Sequence, residues 1–171
     1  RLFDCPIYQI SPNGKFSASP DLTVIRYTQL GYGIFTSYTK PSQNASMTNG
    51  LFITDLTTGG CKLLVSLYDI AVFGKLPIDE PMYGFHVKWS SDNQMIMFVV
   101  RTLTSSIQLP NGGRKQIKTA RVNHIFTIDS TTGKILCHVV SWGSGCGSLN
   151  KRHYQTSSAS PSPSHNSSSS S

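Results

Sequence analysis

Phe85-His86-Val87-Lys88-Trp89-Ser90-Ser91-Asp92-Asn93-Gln94-Met95-Ile96-Met97-Phe98-Val99-Val100 decides the fold. A short alternating run meets a polar turn cluster, and an apolar run too short for an ordinary globular helix follows. A long polar loop comes next. Then Ile125-Phe126-Thr127-Ile128-Asp129, a Thr-Thr-Gly turn, and a last run from Lys134 to Val140 complete the stretch. Short runs rich in Val, Ile and Phe, separated by turn residues, read as strands. The expected order is strand, turn, strand, long loop, strand, turn, strand.

The same pattern occurs earlier. Tyr8-Gln9-Ile10-Ser11-Pro12-Asn13-Gly14-Lys15-Phe16 aligns with Val87 to Met95 at an offset of 79 residues (Tyr8 to Val87). Leu51-Phe52-Ile53-Thr54-Asp55-Leu56-Thr57-Thr58-Gly59 aligns with Ile125 to Gly133 at an offset of 74 (Leu51 to Ile125). Strand motifs repeat while loop lengths differ, as in the four-stranded blades of a β-propeller with insertions. The expectation is therefore an all-β fold: a β-propeller fragment of two four-stranded antiparallel blades. Blade one runs over about 6–66 and blade two over about 85–140, within a partial propeller spanning 1–149.

Working outward, Pro6 to Ile10 reads as the first strand, and Lys15 to Thr28 as a second strand interrupted at Pro20. Ser11-Pro12-Asn13-Gly14 has the composition of a tight turn. Strands three and four fall at Gly50 to Asp55 and Cys61 to Ser66, and Ser66 to Ala71 forms one helical turn before Gly74 and Pro77. Trp142 to Gly147 resembles the approach to a third blade. The segment 150–171 is a Ser/Pro-rich low-complexity tail, too poor in apolar groups to offset its ordering entropy, and is expected to be disordered.

The 171 residues carry 15 Lys and Arg against 8 Asp and Glu, a formal net charge of +7, although only 13% of residues are charged. That bias favours anionic partners; the plainer reading is a basic surface with no dedicated one. No run approaches the length of apolar residues that spans a membrane. Arg1 in place of Met implies either a removed leader or a missing start, and no compartment is assigned. Cys5, Cys61, Cys137 and Cys146 lack the paired spacing of a zinc site. Cys61 and Cys137, near the starts of the two fourth strands, read as small buried hydrophobes, with a disulfide among the four left open. Asn44-Ala45-Ser46 is a glycosylation triplet if the chain is secreted.

Ser11-Pro12-Asn13-Gly14-Lys15, Leu51-Phe52-Ile53-Thr54-Asp55 and Val87-Lys88-Trp89-Ser90-Ser91-Asp92 resemble the repeats of TolB-type propellers. The typical turn of that family is Ser-Pro-Asp-Gly; Asn13 departs from it mildly, Ser91 and Asn93 more. Gly31-Tyr32-Gly33 and the positions of His86 and Arg101 resemble the propellers grouped near the oligogalacturonate lyases. The resemblance covers Tyr8 to Gly147. It implies a ring of more blades than two, so an isolated pair exposes sheet faces through which the chain can self-associate.

Strand alternation collects the candidate site at one end: the loop from Gln29 to Asn49 with Tyr32, the loop from Thr102 to Asn123, His86, Arg101 and His124. No acid occurs between Asp92 and Asp129, while Arg101, Arg114, Lys115, Lys118 and Arg121 do. Arg101, Arg114, Arg121, His124 and Tyr32 are the expected ligand-binding residues, with Arg taking carboxylate or phosphate in bidentate fashion. The first reading is a non-catalytic unit that binds an anionic ligand or a protein and needs no cofactor. The alternative, implied by the resemblance alone, is a polyuronate lyase acting by metal-assisted β-elimination, with His86 as catalytic residue or ligand of a divalent metal. The competing role for His86 is a channel-lining side chain held by backbone hydrogen bonds. Gly143-Ser144-Gly145 lacks the spacing of a serine-hydrolase elbow. No motif supports nucleic-acid binding.

Overall fold

A computed structural model of the chain describes residues 2–29, 31–34, 44–108 and 114–142, with side chains for all of these except 104–108, 114–120, 141 and 142. Two four-stranded antiparallel sheets form the fold, each a meander in chain order. Sheet 1 contains β1 (Gln9–Ile10), β2 (Phe16–Pro20), β3 (Gly50–Asp55) and β4 (Cys61–Ser66). Sheet 2 contains β5 (Met82–Trp89), β6 (Met95–Gln108), β7 (Arg114–Asp129) and β8 (Ile135–Trp142). Helix α1 (Leu22–Thr28) joins β2 toward β3, and α2 (Leu67–Gly74) carries the chain from sheet 1 to sheet 2. Neither sheet closes on itself.

The sequence repeat has a physical basis in its turns. Ser11 Oγ accepts from the Phe16 amide at 3.0 Å and donates to Asn13 Oδ1 at 2.8 Å, while Asn13 Oδ1 accepts from Lys15 N–H at 3.0 Å. Ser90, Asp92, Gln94 and Met95 repeat this network: the Met95 amide donates to Ser90 Oγ at 2.9 Å and the Gln94 amide to Asp92 Oδ1 at 3.0 Å. Asn93, at φ 64°, takes the left-handed place that Gly14 holds at φ 70°; Asn tolerates it better than most side chains. The two turns also touch, Asn13 N–H donating to Asn93 Oδ1 at 2.9 Å. In the Asp-x-Thr-Thr-Gly turns, Asp55 accepts from the Thr57 and Thr58 amides at 2.7 and 3.0 Å, and Asp129 from those of Thr131 and Thr132 at 3.0 and 2.7 Å.

One apolar layer lies between the sheets. Ala18, Leu51, Ile53 and Val65 of sheet 1 meet Val87, Ile96, Phe98, Val100, Phe126 and Ile128 of sheet 2, with Ile70 and Ala71 of α2 closing one side. Gly84 marks a close approach: a Cβ there would lie 2.5 Å from the Phe98 ring and 3.0 Å from Pro20. On the opposite face of sheet 2, register places Met97, Thr127 and Cys137 in one row and Val99, Ile125 and Val139 in the next. Of these only Val99 is buried; α1 covers the same face only farther along, at Tyr83, Phe85 and Leu103.

Several expectations change. The segment after Pro20 is a helix instead of a continuing strand, because Asp21 caps it: its carboxylate accepts from the Thr23 amide at 2.9 Å and from Thr23 Oγ1 at 2.6 Å. Val24, Ile25 and Thr28 form its buried stripe, packed on Tyr83 and Phe85. The long loop expected from Thr102 to Asn123 is instead the outer part of a β-hairpin, paired from Met95↔Asp129 to Gln108↔Arg114 with a bulge between Thr104 and Ser106. The helical turn after Ser66 extends to eight residues, Ser66 Oγ accepting from the Asp69 amide at 3.0 Å. The first strand shortens to Gln9–Ile10, and the second sheet begins at Met82 instead of Phe85. Cys61 is not a free buried hydrophobe but forms a disulfide with Cys5, tying the N-terminal segment to β4; closing 56 residues limits the unfolded chain by about 4 kcal/mol in the loop-entropy account. The third-blade approach after Trp142 and the Ser/Pro tail lie outside the described residues.

Two outcomes test this packing. Gly84→Ala lowers stability by about 1–3 kcal/mol in urea unfolding, since Phe98 and Pro20 must both move. Tyr83 is fully buried, its hydroxyl without a hydrogen-bond partner among the described residues, so Tyr83→Phe raises stability by about 1 kcal/mol in the same assay.

Candidate functional site

β5 and β6 set the centre of the site. Arg101 stands on β6 opposite Tyr83 and Asn123, and its guanidinium lies 3.6 Å from the centroid of the Phe85 ring. Its Nε donates to Asn123 Oδ1 at 2.7 Å and its Nη1 to Gln29 Oε1 at 2.8 Å. The cation thus lies over an aromatic face and is held at its edge by two amide oxygens, which fixes its direction without neutralising it. Arg121, on β7, reaches the Thr28 carbonyl at a long 3.5 Å. Both arginines therefore tie the end of α1 to sheet 2.

Tyr32 sits against the other side of the cluster, its ring edge-on to Phe85 at 5.5 Å. Gly33 allows this approach. It has φ 82°, and a Cβ there would clash with the Leu22 carbonyl and lie 2.6 Å from the Arg26 nitrogen. The Ile34 amide then bonds the Leu22 carbonyl at 3.1 Å, anchoring the chain to α1. Tyr32 remains 53% exposed, so its ring presents an open aromatic surface.

His86 follows Phe85 on β5 and faces solvent; its ring centroid is 4.0 Å from that of Phe85. Tyr8 brings its hydroxyl to His86 Nδ1 at 3.1 Å, a side-chain link between the two sheets. Partial burial, then Arg101 and Lys88, hold His86 below the usual histidine range, so it is neutral near pH 7. Burial and Tyr32 push the Tyr8 phenol up, so it stays protonated and can donate to His86. Among the described residues, the His86 ring is held by a side chain, Tyr8. Among the described residues no group of three His, Cys, Asp or Glu could hold a metal, and the charges that act on His86 are cations. Among the described residues, no set of His, Cys, Asp or Glu beside His86 completes a metal site.

The structure thus brings Tyr32, His86, Arg101 and Arg121 to one end. His124 is at the same register level, paired across from Val100, but it points into the packed side: only 6% is exposed. Its Nε2 meets Thr102 Oγ1 at 3.1 Å and its Nδ1 meets His138 Nε2 at 3.2 Å, with His138 stacked on Phe126 at 4.4 Å. Arg114 lies at the outer start of β7, opposite Gln108; its side chain lies outside the described residues. Sequence reasoning did not single out Phe85, Gln29 or Tyr8 for the site. In the sequence Phe85 and Tyr8 stand only as members of the repeated strand runs, and their neighbours across the sheets give them a role. A groove of about 670 Å³ lies elsewhere, between α2 and the β7–β8 turn, lined by Leu64, Tyr68, Val72, Phe73 and Lys134.

No family model matches the chain, and no curated protein or solved structure matches it. The turns and the geometry above therefore carry the functional argument alone.

The His124–His138 pair sets a pH dependence. Burial first, then His138, lowers His124 to about 4, and burial lowers His138 in the same direction. A histidine whose folded pKa lies below its unfolded value of about 6.5 contributes stability that is full above that value and lost as pH falls. The expected loss is about 2–3 kcal/mol between pH 7.5 and pH 4.5, read by urea unfolding. His124→Phe flattens that fall. Asp92 and Asp129, lowered mainly by hydrogen bonds from Ser90 and from Thr132, lose theirs only at still lower pH.

Proposed function

We propose that the chain is a non-catalytic, propeller-like binding unit whose β6–β7 hairpin end engages an anionic ligand or an acidic protein surface. One observation carries this reading. Beyond Thr102 and Val122, β6 and β7 pair only with each other among the strands described, so the hairpin projects past the rest of sheet 2. Arg114, Lys115, Lys118 and Arg121 lie on the second arm of that projection, and no acid occurs between Asp92 and Asp129. At its base stand Arg101, Tyr32 and His86. A line of cations on a paired hairpin focuses positive potential and draws in anions, and the aromatic surface at its base adds flat apolar contact.

The propeller reading draws support from the arrangement of the sheets. Each is a four-stranded meander, and α2 leads from the last strand of one to the first strand of the next. β1 and β5 stand side by side, joined by Tyr8–His86 and by the Trp89 indole donating to the Gln9 carbonyl at 2.9 Å. The part of the outer face of sheet 2 beyond α1 then corresponds to the side on which a neighbouring blade packs, and it supports self-association of the isolated chain. No observation favours the lyase alternative.

Polygalacturonate serves as the polyanion probe. Full-length chain retained on it elutes with rising salt, and Arg114→Glu with Lys118→Glu weakens binding at least about tenfold at 50 mM salt. Lys62→Glu, exposed on β4 of sheet 1, leaves binding unchanged. Equal retention of the hairpin double variant and the parent chain overturns the reading.

A further inference from the structure

The chain carries a chemically specific triplet that the binding site does not use. In Asn44-Ala45-Ser46 the central residue is not proline and a hydroxyl stands two positions after the asparagine, the arrangement required for transfer of an oligosaccharide to an asparagine amide. Such triplets arise by chance, so structure must say whether this one is presented. Ala45 packs against the main apolar core. The Ser46 carbonyl accepts from the Tyr68 amide of α2 at 3.1 Å, and Ser46 Oγ accepts from the Thr48 amide at 3.1 Å. With its two following residues tied down, Asn44 is left exposed at the surface of the β2–β3 connection.

A second, independent observation concerns the chemical environment. Cys5 and Cys61 are joined, and such a disulfide forms and persists in oxidising compartments such as the lumen of the secretory pathway. That same lumen holds the glycosyl donor. We propose that Asn44 is an N-glycosylation site. Asn44 Nδ2 attacks the anomeric carbon of the first sugar of a polyprenyl-pyrophosphate oligosaccharide. The nitrogen–carbon bond forms as the carbon–oxygen bond to pyrophosphate breaks. The polyprenyl pyrophosphate leaves, and one amide proton passes to a base of the transferase; no electron is gained or lost.

This proposal stands apart from the anion-binding reading and survives its failure. The test expresses the full chain behind a secretion leader in a eukaryotic host and maps peptides from secreted and retained protein alike, without reduction. Asn166→Gln is the background, because Asn166-Ser167-Ser168 is a second triplet, outside the described residues. The expected result is a glycan on Asn44 in molecules that contain the Cys5–Cys61 bridge. Peptide-N-glycosidase then leaves aspartate at position 44. Asn44→Gln and Ser46→Ala each remove one glycan's mass, whereas Ser46→Thr keeps it. An unmodified Asn44 in bridged protein overturns the proposal, and so does a population with Cys5 and Cys61 as free thiols.

Discussion

The apolar layer between the two sheets is the constraint on which the rest depends. A four-stranded sheet alone has two faces to cover and little with which to cover them. Here Leu51 and Ile53 reach across to Val87, Phe98 and Phe126, and full burial of a side chain such as Phe98 contributes about 1.5–3 kcal/mol. The contact works only because Gly84 leaves room for the Phe98 ring and Pro20. It fixes the sheets side by side, and the polar links at their rim, Tyr8 to His86 and Asn13 to Asn93, follow from that placement.

From the same packing comes the site. Sheet 2 lends β6 and β7 a rigid base, so the two strands can continue past their neighbours as a paired hairpin. α1 fills the corner where β2 ends, against Tyr83 and Phe85, and delivers Gln29 to Arg101. Arg101 is then oriented by three contacts from three segments of chain. The pair of buried His124 and half-buried His138 belongs to the same end of sheet 2 but serves packing, with burial holding both imidazoles below the usual histidine range.

Much of the fold was legible because turn chemistry is local. Ser11 with Asn13 and Ser90 with Asp92 close their turns using atoms within five residues of one another, so the sequence pattern and the geometry coincide. β3 and β4 begin and end where their composition changes. The errors have a common cause. Asp21 reads as part of the second strand until its carboxylate is seen to cap α1, and a polar stretch such as 102–123 reads as a loop because hairpin pairing depends on a partner strand, not on hydrophobicity. Cys5 and Cys61 stand 56 residues apart, and spacing alone does not say which cysteines meet.

By itself the sequence determined the two repeated turns, the β-rich class, the excess of cations between Asp92 and Asp129, and the glycosylation triplet. All of these are set by neighbouring residues or by composition. Tertiary structure alone decided that the cations stand on a projecting hairpin, that Arg101 lies on Phe85 beside Tyr32, that His124 turns inward, and that Asn44 faces out. Each of those depends on which strands pair and which faces pack, and that choice rests on contacts between residues far apart in the chain.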